Sequence, residues 1–196
     1  MSVNTNDPRV LRTRQLLQTA LLELMQEKPF QAISVTDLTR RATLNRATFY
    51  LHYLDKFDLL AQSARDTFMA VIHERLPDCD AFHVEDIRLL TQATCEYLDG
   101  FLKGCTPANK PYEPLIEAEL QRVLYDYICG WLDGETGHSP DTLPVETCAT
   151  MVSSTVLHMS LKWSRGETAY ERDEVVKQVY TTVTQGIFQT IPAARQ

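Results

Sequence analysis

SVTDLTRRATLNRATFYLHYLDK, residues 34–56, is the stretch whose reading decides the fold. It reads as two short helices joined by a tight turn. Ser34-Val35-Thr36-Asp37 has the form of a capping box with Asp in the Glu position, so a helix begins there. Val35, Leu38 and Ala42 follow at helical spacing and supply one narrow apolar face. Thr43-Leu44-Asn45 makes the turn, and Asn45 is a good N-cap for a second helix running from Arg46 to about Tyr53. That helix sets Ala47, Tyr50 and Leu54 on one side, with Arg46, Thr48, Phe49 and His52 in other orientations. A helix of about two turns is not stable alone, so its neighbours must brace it. A short, braced helix with a polar outer face suits insertion into the DNA major groove.

Working outward, Asp7 caps a first helix that has Pro8 in its opening turn. Val10, Leu17, Leu21, Leu24 and Met25 form its apolar stripe, and Pro29 stops it after about Lys28. Phe30 and Ile33 anchor the connection. On the other side, Asp55 caps a fourth helix that carries Phe57, Leu60, Ala64, Phe68, Val71 and Ile72 before Pro77. Lys56 in its first turn opposes the helix dipole, so helix stability does not explain it. A phosphate placed there would receive both the ammonium and the backbone N–H groups.

The run 13–60 resembles the TetR-type transcriptional regulators. The match is carried by Ala20, Ile33-Ser34-Val35-Thr36, Leu38, Ala42, Asn45-Arg46-Ala47-Thr48-Phe49-Tyr50, His52-Tyr53, Lys56 and Leu59-Leu60. The resemblance implies an all-α protein: a three-helix DNA-binding domain over 1–54, then a helical bundle over 55–196 for dimerisation and ligand binding. It implies that Thr36, Tyr50, His52 and Lys56 contact phosphates, and that Arg46, Ala47 and Thr48 face base edges, with Asn45 heading the same helix. It further implies a repressor binding a palindromic operator as a homodimer, released when a small-molecule effector moves the fourth helix. Two positions depart from the family pattern. Thr43 stands where a glycine is usual, and a left-handed conformation costs a β-branched residue more. Leu51 stands where many members carry a polar or aromatic group.

Composition agrees with a helical, globular chain. Of 196 residues 44% are hydrophobic and 23% charged, with only 7 Gly and 9 Pro and no long strand-like alternation. The net charge of −7 is unevenly spread. Residues 1–56 hold eight basic against five acidic side chains, whereas the remainder holds 11 basic against 21 acidic. A basic head on an acidic body points to a local nucleic-acid footprint. No apolar leader opens the chain and no window is long enough to span a membrane, so a cytoplasmic location is expected. Cys79, Cys95, Cys105, Cys129 and Cys148 are widely spaced and read as reduced thiols.

The body reads as further helices over 84–102, 115–131 and 145–166, and one through Val176, Val179, Val183 and Ile187, with loops over 78–83, 104–114 and 134–144. The segment 104–114, with three prolines, is the most flexible-looking interior stretch. Val152, Val156, Met159 and Trp163, together with Val179, Val183 and Ile187, recur at near-heptad spacing and suit a four-helix dimer interface. Tyr97, Phe101, Tyr127, Trp131 and His158 are candidates for an apolar effector site with few polar groups. His52 has no partner at metal-ligand spacing. No cofactor is expected, and no phosphate loop, nucleophile elbow, HExxH or paired catalytic carboxylates suggest an enzyme. The alternative is an all-helical interaction module that has lost operator binding.

Overall fold

The computed structural model describes residues 7–76, 83–104, 107–133 and 143–187, without the side chains of 102–104, 133 and 187. Cys79, Cys105, Pro77, Pro192, nearly all of the loops expected over 78–83 and 134–144, and the Ile187 side chain lie outside the described residues. The described chain is all-α, without a strand. Its helices are α1 (Pro8–Glu27), α2 (Val35–Arg41), α3 (Arg46–His52), α4 (Lys56–Arg75), α5 (Asp86–Gly104), α6 (Glu113–Asp133), α7 (Val145–Ser164) and α8 (Arg172–Thr182). Short 3₁₀ turns occupy Phe30–Ala32 and Pro107–Tyr112, and α8 continues into a π-helical turn, Val183–Ile187.

By packing, the chain forms two units, Met1–Ala64 with Cys105–Ile116 and Arg65–Gly104 with Glu117–Gln196. In the first, α1 packs on α2 and α3 through Leu17, Ala20, Leu21, Leu24, Leu38, Ala42, Phe49 and Tyr53, all buried. Arg41 clasps α2 to α1: one guanidinium nitrogen donates to Glu23 at 3.0 Å and the other to Glu27 at 2.8 Å. The first turns of α4 contribute buried Leu59 and Leu60.

A segment distant in sequence completes this head. The stretch expected to be a flexible loop over 104–114 instead holds the Pro107–Tyr112 turn, whose Asn109 is 2% exposed. Its Oδ1 accepts from the Phe30 backbone N–H at 2.8 Å, and the Tyr112 ring meets Phe30 edge-on at 4.7 Å. Prolines made this stretch look loose. Here they stiffen a turn that a buried side chain ties down.

In the second unit α5, α7 and α8 pack on one another. Ile87, Leu90, Leu98, Ala149, Val152, Val156, Leu157, Val176, Val179 and Val183 form its core. This corrects one expectation. Val152, Val156, Val179 and Val183 are at most 1% exposed within a single subunit and cannot present a face to a second copy. Near-heptad spacing states only that a stripe is buried; the partner here is α5 of the same chain. Met159 and Trp163 are half-buried at the margin of that stripe. Cys95, Cys129 and Cys148 are free thiols, and burial pushes those of Cys95 and Cys148 up. No described helix is long and apolar enough to cross a membrane.

Candidate nucleic-acid interface

The interface is assembled by caps. Ser34 Oγ accepts from Asp37 N at 3.1 Å, and the Asp37 carboxylate accepts from Ser34 N at 2.9 Å and from Lys28 Nζ at 2.9 Å. The bonds from Ser34, then that from Lys28, hold the Asp37 carboxyl well below the usual carboxylate range. At the other end of α2, Thr43 N donates to Arg40 O at 3.2 Å and Leu44 N to Thr39 O at 2.8 Å. That pair of bonds is a Schellman motif, with Thr43 left-handed at φ 56°. The same motif closes α7, where Gly166 takes the left-handed position at φ 68°. Thr43 therefore adopts the strained conformation that a family glycine would adopt freely.

Asn45 then caps α3, its Oδ1 accepting from Thr48 N at 2.7 Å and from Thr48 Oγ1 at 3.0 Å. The buried side of α3 is Phe49, fully buried, and Tyr53 just beyond its end at 2%. Ala47 and Tyr50, expected with Leu54 to share one side, are exposed: Tyr50 is 52% and Leu54 84% accessible. Two helix-spaced sets compete in a two-turn helix, and the larger aromatic pair takes the core.

Of the expected DNA contacts, three come together. Arg46, at the start of α3, lies within 3.4 Å of both the Thr36 hydroxyl on α2 and the Tyr50 hydroxyl one turn on. Thr36, Arg46 and Tyr50 thus form one exposed polar row. Asn45 and Thr48 serve the α3 cap, so the Thr48 hydroxyl proton is already committed. His52 is half-buried, and burial and then the Arg14 charge lower its pKa, which keeps it neutral near pH 7.

Lys56 departs from expectation. Its ammonium donates to the Phe30, Gln31 and Ile33 carbonyls at 3.0, 2.9 and 2.8 Å and lies 4.8 Å from the Phe30 ring centre. It holds the connection between α1 and α2 and is not aimed at a phosphate. The α4 N-terminus is capped in turn by Asp55 Oδ1, which accepts from Phe57 N and Asp58 N. A lysine at a helix N-terminus calls for acceptors outside its own helix, and three carbonyl oxygens supply them. Asn109 had no local signal at all.

The expected effector residues fall into pairs. Tyr97 and Phe101 on α5 have parallel rings 6.4 Å apart, and the Tyr97 hydroxyl bonds that of Thr67 at 2.9 Å. Tyr127 and Trp131 on α6 meet edge-on at 4.5 Å. His158 is exposed on α7, its Nδ1 2.9 Å from the Ser154 carbonyl. Among the described residues, no group of three or more His, Cys, Asp or Glu could hold a metal ion.

Two capped helices joined by a left-handed turn, braced from behind by α1, with a polar row across their outer side, form a helix-turn-helix. Residues 17–62 match the family described as bacterial regulatory proteins, tetR family. A stretch of 55 residues is 47% identical to an uncharacterized HTH-type transcriptional regulator, YxbF, of Bacillus subtilis; it covers 28% of this chain and 14% of that protein. In fold, a TetR-family regulator from Streptomyces coelicolor is similar with a TM-score of 0.61 at 17% identity, over 92% of this chain and 97% of that one. A transcriptional regulator FadR from Bacillus subtilis, solved in complex with stearoyl-CoA, gives a TM-score of 0.50 at 16% identity, over 88% and 98%. Residues 17–62 are thus similar to the DNA-binding region of TetR-type transcriptional regulators, and the chain as a whole shares an all-α fold with them.

Proposed function

We propose that this chain is a ligand-responsive repressor that binds a palindromic operator as a homodimer, with residues 1–54 reading DNA and 55–196 dimerising and taking the effector. The row of Thr36, Arg46 and Tyr50 carries the DNA side of this reading: three exposed polar groups from two helices, spaced to meet one backbone and groove. On this reading Arg46 would bond guanine O6 and N7, Tyr50 and Thr36 would contact phosphate, and neutral His52 would make a further phosphate bond. A helix-turn-helix that reads a palindrome needs two heads about one helical turn, ~34 Å, apart or a multiple of that, which favours a dimer.

With the valine stripe buried, the dimer face is better sought on the outer side of α7, along Met151, Thr155, His158 and Lys162, with Met159 and Trp163 at its margin. For the effector, the aromatic pairs Tyr97–Phe101 and Tyr127–Trp131 offer apolar surface, and the acyl-CoA bound by the FadR relative makes a long-chain acyl thioester the first compound to try. Effector binding would act through α4, whose first turns belong to the head unit and whose remainder belongs to the body. The inward Lys56 adds to the strained Thr43 and the acidic body in favour of the interaction-module alternative, since it removes a cation from the DNA side. Operator affinity titrated with salt separates the two. Affinity falling linearly on a log–log plot supports DNA binding, and salt-independent or undetectable binding refutes it.

A further inference from the structure

The outermost point of α3 is not polar. Phe49 and Tyr53 define its buried side, and Leu51, two residues or about 200° round from Phe49, projects directly opposite. Leu51 is 69% exposed, Ala47 lies one turn before it on the same line, and Leu54, 84% exposed, stands at the helix exit. Single exposed leucines are ordinary. Two apolar side chains, Ala47 and Leu51, on one line of a two-turn helix beside the Arg46–Tyr50 row, are a ridge. Among the described residues, Leu51 leaves most of its surface uncovered.

Resting on the DNA-binding reading above, we propose that Ala47 and Leu51 are specificity determinants that read thymine C5-methyl groups. A leucine can neither donate nor accept a hydrogen bond, so it gains nothing from the guanine, cytosine or adenine edges. In the major groove the thymine methyl is the apolar group on offer. Leu51 then selects thymine at the base step beneath the last turn of α3, while Arg46 addresses a position nearer the helix start.

The test uses the full chain and a duplex recovered from a random pool by binding-site selection. Thymines are replaced one at a time by deoxyuridine, which deletes the methyl group and leaves every base-pairing and groove hydrogen bond intact. At one or two positions per half-site, affinity should fall about fourfold, the worth of one buried methyl. Leu51→Ala should bind the parent duplex more weakly and lose that sensitivity, with an unchanged melting temperature. Wild-type affinity indifferent to every deoxyuridine overturns the proposal, as does methyl sensitivity that survives in Leu51→Ala. If Leu51→Ala leaves affinity intact and instead alters sedimentation, the ridge is a protein contact and the proposal again fails. Should selection recover no duplex with salt-dependent affinity, the DNA-binding reading falls too, an outcome distinct from binding without methyl sensitivity.

Discussion

Thr43 and Gly166 occupy the same position of the same motif, and they differ only in side chain. A left-handed residue with a Cβ costs about 1–2 kcal/mol, offset in part by the greater freedom glycine regains on unfolding. Thr43→Gly should therefore stabilise the head by about 0.5–1 kcal/mol in a denaturant melt. Gly166→Ala should destabilise by a similar amount. An added Cβ at Gly166 meets nothing within 4 Å, so the backbone alone sets that cost. His52 supplies a second residue-scale test. Its pKa lies below the ordinary 6.5, so the folded head favours the neutral ring. Its contribution to stability is full above that value and is lost as pH falls through it. A DNA phosphate beside it would raise the pKa in the complex, so operator affinity should strengthen as pH drops from 8 to 6. His52→Gln should flatten that dependence.

Among the elements, the Phe30–Ala32 turn is gripped from two sides, by Lys56 on its carbonyls and by Asn109 on the Phe30 N–H. Asn109→Ala leaves a buried donor unpaired and should cost about 1–3 kcal/mol of head stability, read by amide exchange of α1 and α2. Lys56→Met should weaken operator binding through that same destabilisation while leaving the salt slope unchanged; a phosphate contact would lower the slope by about one. Local elements were legible in the sequence wherever the signal was local. The Asp7, Ser34 and Asn45 caps, the stop at Pro29 and the awkward Thr43 all stand as the residues imply. What sequence could not show is contact at a distance: Asn109 and Phe30 are 79 positions apart, and the carbonyls that hold Lys56 are 23–26 away. The buried side of α3 was illegible for a different reason. Two turns are too few for periodicity to choose between Phe49 with Tyr53 and Ala47 with Tyr50.

At the scale of the whole molecule, charge and packing divide the labour. The basic excess sits in residues 1–56, and the acidic body repels polyanions, so DNA contact should be confined to the polar row and the ridge of α3. The long apolar stripes of α7 and α8 told of burial without telling whose surface covers them. With the valines consumed inside the subunit, a charged substitution at Val156 would report on folding and not on association. Met151, 44% exposed, is the better probe. Met151→Glu should leave the fold intact and shift sedimentation from dimer toward monomer if the outer side of α7 is the interface. A variant that stays dimeric moves the interface elsewhere.

The central claim, that the row of Thr36, Arg46 and Tyr50 reads duplex DNA, is tested most directly by binding selected duplex across a salt series, for the wild type and for Arg46→Ala. Log affinity should fall linearly with log salt. Arg46→Ala should lose about 1–3 kcal/mol on the cognate duplex while relaxing preference at one base position. Binding that ignores salt, or an Arg46→Ala variant that discriminates among duplexes as well as the wild type, would contradict it.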